Sequence, residues 1–404
     1  MSRSRIRLLL RLFCKFMNSF KSGTNSGTPA TAGILTKLPM PPRHSLSAND
    51  AERLKRGLSM KTWCAAFLAV CPSLMLLGNV ALAGPPKSGY RLVKSVPLRE
   101  APGDTEYFDY VTVDSAGRRV YIARGTEVDI LDADNFSVVG SITGLKHCHG
   151  VALIPELNKG FITDGGAAKV VVFEIKTLTV TNAIDAPPGT DSLTYDPSSK
   201  LIFTFNGQSK NSSVIDPVRE TVVKTIDMVG GPEQPAADGN GTIYDNNGET
   251  NDVVVIDTHA LAVKARWPTK PAGQPVAIAM DREHHRLFSA GRNPSTLVMI
   301  DADSGKVLNS FPISDGVDAA IYEPSSGFLF ISTRTGLLHV FHEDSPDKLS
   351  PVEEISTEYG AKTMGLDLKT QNLIFVTSDF TPPSGPKGDR KTIKGTARLL
   401  IFGR

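Results

Sequence analysis

Asp109, His149, Asp191, Glu233, Val276, Asp318 and Lys362 recur along the chain at intervals of 40, 42, 42, 43, 42 and 44 residues. Six of these seven side chains ionise. If the fold gathers them, several chemistries open. Clustered carboxylates can hold a hard divalent cation through oxygen ligands. They can also bind a cationic or hydroxylated small molecule in a pocket. Alternatively, His149 can serve as a general base beside an ion held by Asp191 and Glu233. Carboxylates brought this close repel, and some of their pKa values rise unless a cation or Lys362 offsets the charge.

The sharpest local cluster is His147-Cys148-His149. Imidazole and thiolate favour zinc or copper. On a strand His147 and His149 point the same way, so both can meet one ion, and Cys148 points to the other side. A rim histidine pair beside a buried thiol is the competing structural reading. His284-His285 belongs to a turn at the far end of its strand. No G-x-S-x-G, Walker, H-E-x-x-H or C-x-x-C pattern occurs, so no nucleophile or phosphate loop declares itself.

These positions sit in a repeat. Seven copies end a half-buried run at Asp114, Ile154, Asp196, Asp238, Asp281, Glu323 and Asp367, and each candidate lies five residues earlier. An aromatic follows each marker: Tyr121, Phe161, Phe203, Tyr244, Phe288, Phe330 and Phe375. A period in this range marks propellers and solenoids. Each copy reads as four short strands rich in Val, Ile, Tyr and Phe. In the first copy these are Asp109–Val113, Arg119–Ala123, Glu127–Leu131 and Ser137–Ile142. Asp132, Asp216, Asp257 and Asp301 end third strands, where Asp caps a turn with its own side chain.

The last copy stops after its third strand, Arg398–Phe402, and Tyr90–Leu98 resembles the missing fourth. The expectation is therefore an all-β, seven-bladed β-propeller over residues 84–404. The N-terminal strand would complete the last blade and cover an open strand edge. In that register the first strands line a central channel, and the seven candidates form its rim. Arg124, Asp164, Asn206, Asn246, Arg292, Arg334 and Asp379, in the turns between second and third strands, share that face. So does the long basic connection from Asp379 to Gly395, read as a solvent loop or a lid.

The run Val111-Thr112-Val113-Asp114-Ser115-Ala116-Gly117-Arg118-Arg119-Val120-Tyr121-Ile122-Ala123, with Leu201–Thr204, Phe328–Ile331 and Leu373–Val376, resembles the YVTN-repeat, YncE-like β-propellers. The resemblance spans residues 90–404, although no copy spells YVTN in full. It implies a secreted seven-bladed propeller, in some members a binder of nucleic acid or of a surface. It carries no catalytic motif onto this chain.

Residues 60–83 read as a secretory signal. Lys61 precedes an apolar stretch from Trp63 to Leu77, and Ala81-Leu82-Ala83 fits a cleavage site. The run is too short and interrupted for a good membrane anchor, so no transmembrane span is expected in the mature chain. Residues 1–59, basic and rich in Ser, Thr, Pro and Gly, read as a disordered leader or as sequence ahead of a true start at Met60. Residues 1–83 hold 12 of the 44 basic and 2 of the 42 acidic residues, so the remainder carries 32 against 40, a net of −8. That charge disfavours general nucleic-acid binding. Cys14, Cys64 and Cys71 fall in the leader, so Cys148 has no disulfide partner in the mature chain.

Three functions follow as expectations. The first is an exported binding or scaffold protein of the periplasm or cell exterior, taking a small molecule or envelope protein at the channel mouth through Asp109, His149, Asp191, Glu233, Asp318 and Lys362. The second is a metal-dependent enzyme of propeller lactonase or lyase type, with a divalent cation and with His147 and His149 as candidate ligands. The third is single-stranded nucleic-acid binding.

Overall fold

The computed structural model describes residues 87–101, 106–385 and 390–404. The leader and signal readings, residues 1–59 and 60–83, lie outside the described residues. All strands below belong to the unit Leu82–Arg404.

The described chain is all β apart from one 3-10 turn, Pro155–Leu157. It begins with β1 (Arg91–Pro97). The next sheet holds β2 (Val111–Asp114), β3 (Arg119–Ala123), β4 (Gly125–Asp132), β5 (Val138–Ile154), β6 (Lys159–Asp164), β7 (Lys169–Glu174) and β8 (Val180–Asp185), hydrogen-bonded in that order. Four-stranded sheets follow. The first contains β9 (Thr190–Asp196), β10 (Leu201–Asn206), β11 (Asn211–Asp216) and β12 (Thr221–Asp227). The second contains β13 (Pro232–Ala237), β14 (Thr242–Asn247), β15 (Asp252–Asp257) and β16 (Ala262–Pro268). The third contains β17 (Pro275–Asp281), β18 (Arg286–Arg292), β19 (Ser295–Asp301) and β20 (Val307–Pro312). The fourth contains β21 (Val317–Glu323), β22 (Phe328–Thr333), β23 (Leu337–Ser345) and β24 (Lys348–Ser356). Finally β25 (Met364–Asp367), β26 (Asn372–Thr377) and β27 (Arg398–Gly403) pair in turn, and β27 pairs antiparallel with β1.

One boundary differs from the sequence reading. The fourth strand of the first copy and the first strand of the second were expected as separate elements, and they form one 17-residue strand, β5. Its first part pairs with β4 and its last part with β6. Gly144, at φ +85°, and register shifts at Gly125–Glu127 and Cys148–Val151 bend the strand from one neighbour to the other without breaking the ladder.

Within each four-stranded sheet the two central strands are largely buried. β10 (LIFTFN) and β15 (DVVVID) are nearly continuous buried runs. The fourth strands face water and alternate with polar residues, as in β12 (TVVKTID). The turn after the first strand repeats one design. Asp196 accepts hydrogen bonds from the Ser199 amide (2.9 Å) and hydroxyl (2.7 Å), and Lys200 then takes φ +60°. Arg118, Asn158, His285, Gly327 and Gln371 take positive φ at the matching place. The aspartates ending third strands cap as expected: Asp132 accepts from the amides of Asp134 and Asn135, and Asp216 from those of Val218 and Arg219.

The core lies between sheets. Phe330 and Leu338 pack with Phe375, Leu400, Phe402 and Tyr90. Ile374, Val376 and Leu399 of the last sheet pack with Val120, Ile122 and Leu131 of the first. The first strands contact one another in sequence from β2 through β5, β9, β13, β17 and β21 to β25, and β25 contacts β2.

Candidate functional site

The amino-terminal ends of these first strands bring the recurring polar residues into one cluster. The His149 ring offers Nδ1 to Asp109 Oδ2 at 2.6 Å and to Asp191 Oδ1 at 3.2 Å. The Tyr107 hydroxyl donates to Asp109 Oδ2 at 3.0 Å. Lys362 Nζ pairs with Asp318 and lies 4.0 Å from Asp109 Oδ1. Arg292 completes the set, donating Nη2 to Asp318 and Nε to the Val317 carbonyl (3.0 Å). Val276 interrupts the polar series and is buried.

The charges are compensated unevenly. Burial alone would raise the Asp109 carboxyl, but the His149 hydrogen bond and the Lys362 charge hold it below its ordinary value. Burial works against the His149 cation, yet the bond to Asp109 and the field of Asp191 keep its pKa raised. Lys362 is likewise raised against its burial by Asp318 and Asp109. Asp191 and Glu233 differ. Burial and then repulsion from Asp109 push Asp191 up to about 7. Burial pushes Glu233 up to about 7, with Arg292 opposing and Asp191 and Asp318 adding to the rise. Both retain access to solvent, and no hydrogen bond or ion pair reaches the Glu233 carboxylate among the described residues. Glu233, Glu249, Gln274 and Arg292 line an open pocket of about 500 Å³ floored by Gly207, Gly231 and Gly248.

The expected histidine pair separates in role. His149 is buried in the carboxylate cluster. His147 is exposed and packs against Tyr107, with ring centroids 4.3 Å apart and planes tilted by 41°. The donor group that could hold a cation is Asp109, His149 and Asp191, whose ligand atoms lie within 4.8 Å of one another. Cys148 points into the core, donates to the Glu127 carbonyl at 3.3 Å, and is pushed up to about 12 by burial.

Of the turn residues expected on this face, Arg292 alone joins the ion-pair cluster. Arg124 is buried between Glu106 (2.5 Å) and Asp129 (2.6 Å). Asp164 accepts from the Lys146 and His147 amides, and Asn206 and Asn246 bond within and between strands. Asp379 pairs with Arg398 at 2.8 Å. The backbone of Arg334 is bonded to Gly316 and Gly360. The described parts of the Asp379–Gly395 connection are pinned rather than free: Phe380 bridges Thr392, Lys394 pairs with Glu100, and Arg390 lies over the Tyr359 ring. Residues 386–389 of that connection lie outside the described residues.

Two neighbours were not anticipated. Tyr107 stands two residues before Asp109, a spacing that puts both side chains on one side of an extended segment. Asp245, fully buried beside Glu233, is pushed well above the carboxylate range by burial.

No family model matches the chain. Antigen Lp49 of Leptospira interrogans is 23% identical over 253 residues, covering 56% of this chain and 54% of that protein. The uncharacterized protein YncE of Salmonella typhimurium is 27% identical over 103 residues, covering 25% of this chain and 29% of that protein. The chain thus matches about half the length of the first of these relatives and less of the second. Among solved structures, the RRP9 WD40 repeats superpose with TM-score 0.64 at 8% identity, over 79% of this chain and 99% of that one. U3-55K gives 0.63 at 8% identity, over 78% and 99%. Kuenenia stuttgartiensis hydrazine synthase gives 0.60 at 15% identity, over 68% and 94%. The YncE-like β-propeller resemblance is borne out, and the fold is that of the WD40 propellers.

Proposed function

We propose that residues 84–404 form a closed seven-bladed propeller that is exported to the periplasm or beyond and binds a ligand at its channel mouth. Counting the two parts of β5 in separate blades gives seven four-stranded units, and the β1–β27 pairing and the β25–β2 contact support a closed ring. Export is supported by the leader's composition and by similarity to a protein named as an antigen.

One observation carries the binding reading. On a rim where Asp109 and Asp318 are neutralised by His149, Lys362 and Arg292, the adjacent Asp191 and Glu233 are left short of counter-charge while open to solvent. A buried or half-buried carboxylate that is unpaired, as Glu233 is, or that shares one imidazole with a second carboxylate, as Asp191 does, is costly, and such sites cluster where a ligand supplies the missing charge. The ligand class is a small molecule bearing an ammonium group or several hydroxyls, or an envelope protein presenting such groups. His149 argues against the enzyme reading, because an imidazolium held between two carboxylates is a poor general base. Nucleic acid is disfavoured by the net charge of −8 beyond residue 83.

The test is a thermal-shift screen of small amines and polyols at pH 8. A compound that raises the melting temperature should lose its effect in Asp191→Ala and Glu233→Ala. Undiminished binding in both variants would sink the reading.

A divalent cation at Asp109, His149 and Asp191 is the second reading, favoured by the proximity of their donor atoms. His147 would then stand beside the ion and His149 would be its nitrogen ligand. Metal analysis of the chelator-treated and reloaded protein discriminates: a bound ion lost in Asp109→Asn supports it, and no bindable ion removes it.

A further inference from the structure

The opposite ends of the first strands hold a second group of donors. Asp281 ends β17, His284 lies in the turn that follows, and Glu343 lies in β23 of the neighbouring sheet. The side chains converge although Asp281 and Glu343 are far apart in sequence. His284 Nδ1 lies 2.5 Å from Asp281 Oδ2, and one donor atom from each of the three lies within 4.8 Å of the others. Asp281 Oδ1 is occupied by the Glu283 amide at 3.0 Å, which fixes the carboxylate plane.

Glu343 is the informative member. It is 9% exposed and points into this group; no donor meets either carboxylate oxygen at full hydrogen-bonding geometry, and the polar groups acting on it are the Tyr322 hydroxyl and the like-charged Asp281. A buried carboxylate short of good donors is destabilising, and a bound cation is one of the few groups that offsets this. The side chains that act on Glu343 most are Tyr322, Asp281 and His284, and no lysine or arginine forms an ion pair with it among the described residues. The carboxylates that end first strands, by contrast, are served by their own turns, as Glu323 is by Ser325 and Ser326.

We propose that Asp281, His284 and Glu343 form a site for a divalent transition ion of the zinc type, clamping the sheet of β17–β20 to that of β21–β24. The single imidazole selects against magnesium and calcium, which take oxygen ligands alone. Zinc accepts one nitrogen and two carboxylate oxygens at bonds of about 2 Å. Three protein ligands leave a position open. His284, 41% exposed at its side chain, borders solvent, and Asp281 and Tyr322 line a pocket of about 560 Å³ at this end of the strands. The ion is therefore within reach of water or of a small ligand in that pocket. The inference is independent of the rim reading, since the residues lie at the other end of the strands.

The experiment loads the chelator-stripped protein with zinc and measures stoichiometry and affinity by equilibrium dialysis, with cobalt substitution as an optical check. Wild type should bind an ion and melt at a higher temperature with zinc than without. Glu343→Gln and His284→Ala should each weaken zinc by more than the about 10–100-fold that outer-shell changes cost, and should lose the thermal shift. Lys176→Ala, an exposed turn position outside both donor groups, should retain both. His284 lies in an exposed turn, so its variant reports on the site even if Glu343→Gln misfolds. No zinc binding in wild type, unchanged affinity in His284→Ala, or loss confined to Asp109→Asn each overturns the proposal.

Discussion

His149 Nδ1 meets Asp109 Oδ2 at 2.6 Å across a gap of 40 residues in the chain. Both side chains are about nine-tenths buried, so the contact is a pair of compensating charges inside the polar cluster. The signs of the two shifts define a pH window. Asp109 is lowered, so its stabilisation is present above the ordinary carboxylate value and is lost as pH falls through its folded pKa. His149 is raised, so its stabilisation is full below about 6.5 and is lost as pH rises through its folded pKa. Asp109→Asn should lower the His149 titration midpoint followed by NMR. Asp109→Ala should cost about 3–5 kcal/mol near neutral pH, the range for stripping one partner from a buried pair. An unchanged His149 midpoint in Asp109→Asn would show that the pairing does not hold its charge.

Glu233 predicts the reverse pH dependence. Burial comes first among the causes that raise it to about 7; Arg292 opposes it, and repulsion from Asp191, Asp318 and Asp109 adds to the rise. The folded protein therefore holds this proton more tightly than the unfolded chain, and stability from this group falls as pH rises from about 4.5 to about 7. Glu233→Gln should match wild type near pH 5 and exceed it by about 1–3 kcal/mol at pH 8. Urea unfolding at the two pH values measures this. Greater stability of wild type at pH 8 would mean that Glu233 has a partner in the folded protein.

Much of this arrangement was legible from residue order. Alternating runs of Val, Ile and Phe set the strands, and one residue per repeat picked out the members of the polar cluster, with an apolar break at Val276. The limits are physical. Periodicity does not distinguish two short strands from one that bends, and β5 is the case. Turn polarity does not separate a ligand from a cap, so Arg124, Asp164, Asn206 and Asn246 looked available and are structural. Pairings between sheets leave no local trace. Arg292 with Asp318, and Glu343 with Asp281, are visible only once neighbouring sheets are packed.

The first strand should be indispensable. β1 pairs with β27 from Arg91↔Gly403 to Pro97↔Arg398. Just ahead of it, buried Tyr90 packs its ring 4.9 Å from Phe330 and donates its hydroxyl to the Gln371 carbonyl at 2.7 Å. Tyr90→Ala should cost about 3–5 kcal/mol, as large aromatic truncations do. Removing residues through Pro97 should leave the β27 edge unpaired and promote association. Thermal melting and size-exclusion chromatography check both. A monomeric truncation that melts like wild type would remove β1 from the fold's essential contacts.

Cys148 offers a probe of the whole fold. It is fully buried between two histidines that face the other way, with its thiol pushed up to about 12 by burial. The thiolate is the reactive form, so both access and ionisation oppose attack in the native state. A thiol reagent such as DTNB at pH 8 should label Cys148 extremely slowly without denaturant and completely in urea, with a native rate that tracks unfolding. Asp109→Ala, which weakens the adjacent rim, should raise that rate in proportion to its loss of stability if labelling needs global opening. Rapid labelling of native wild type would show that β5 opens locally at its bend, and would place Cys148 within reach of ligands at the rim.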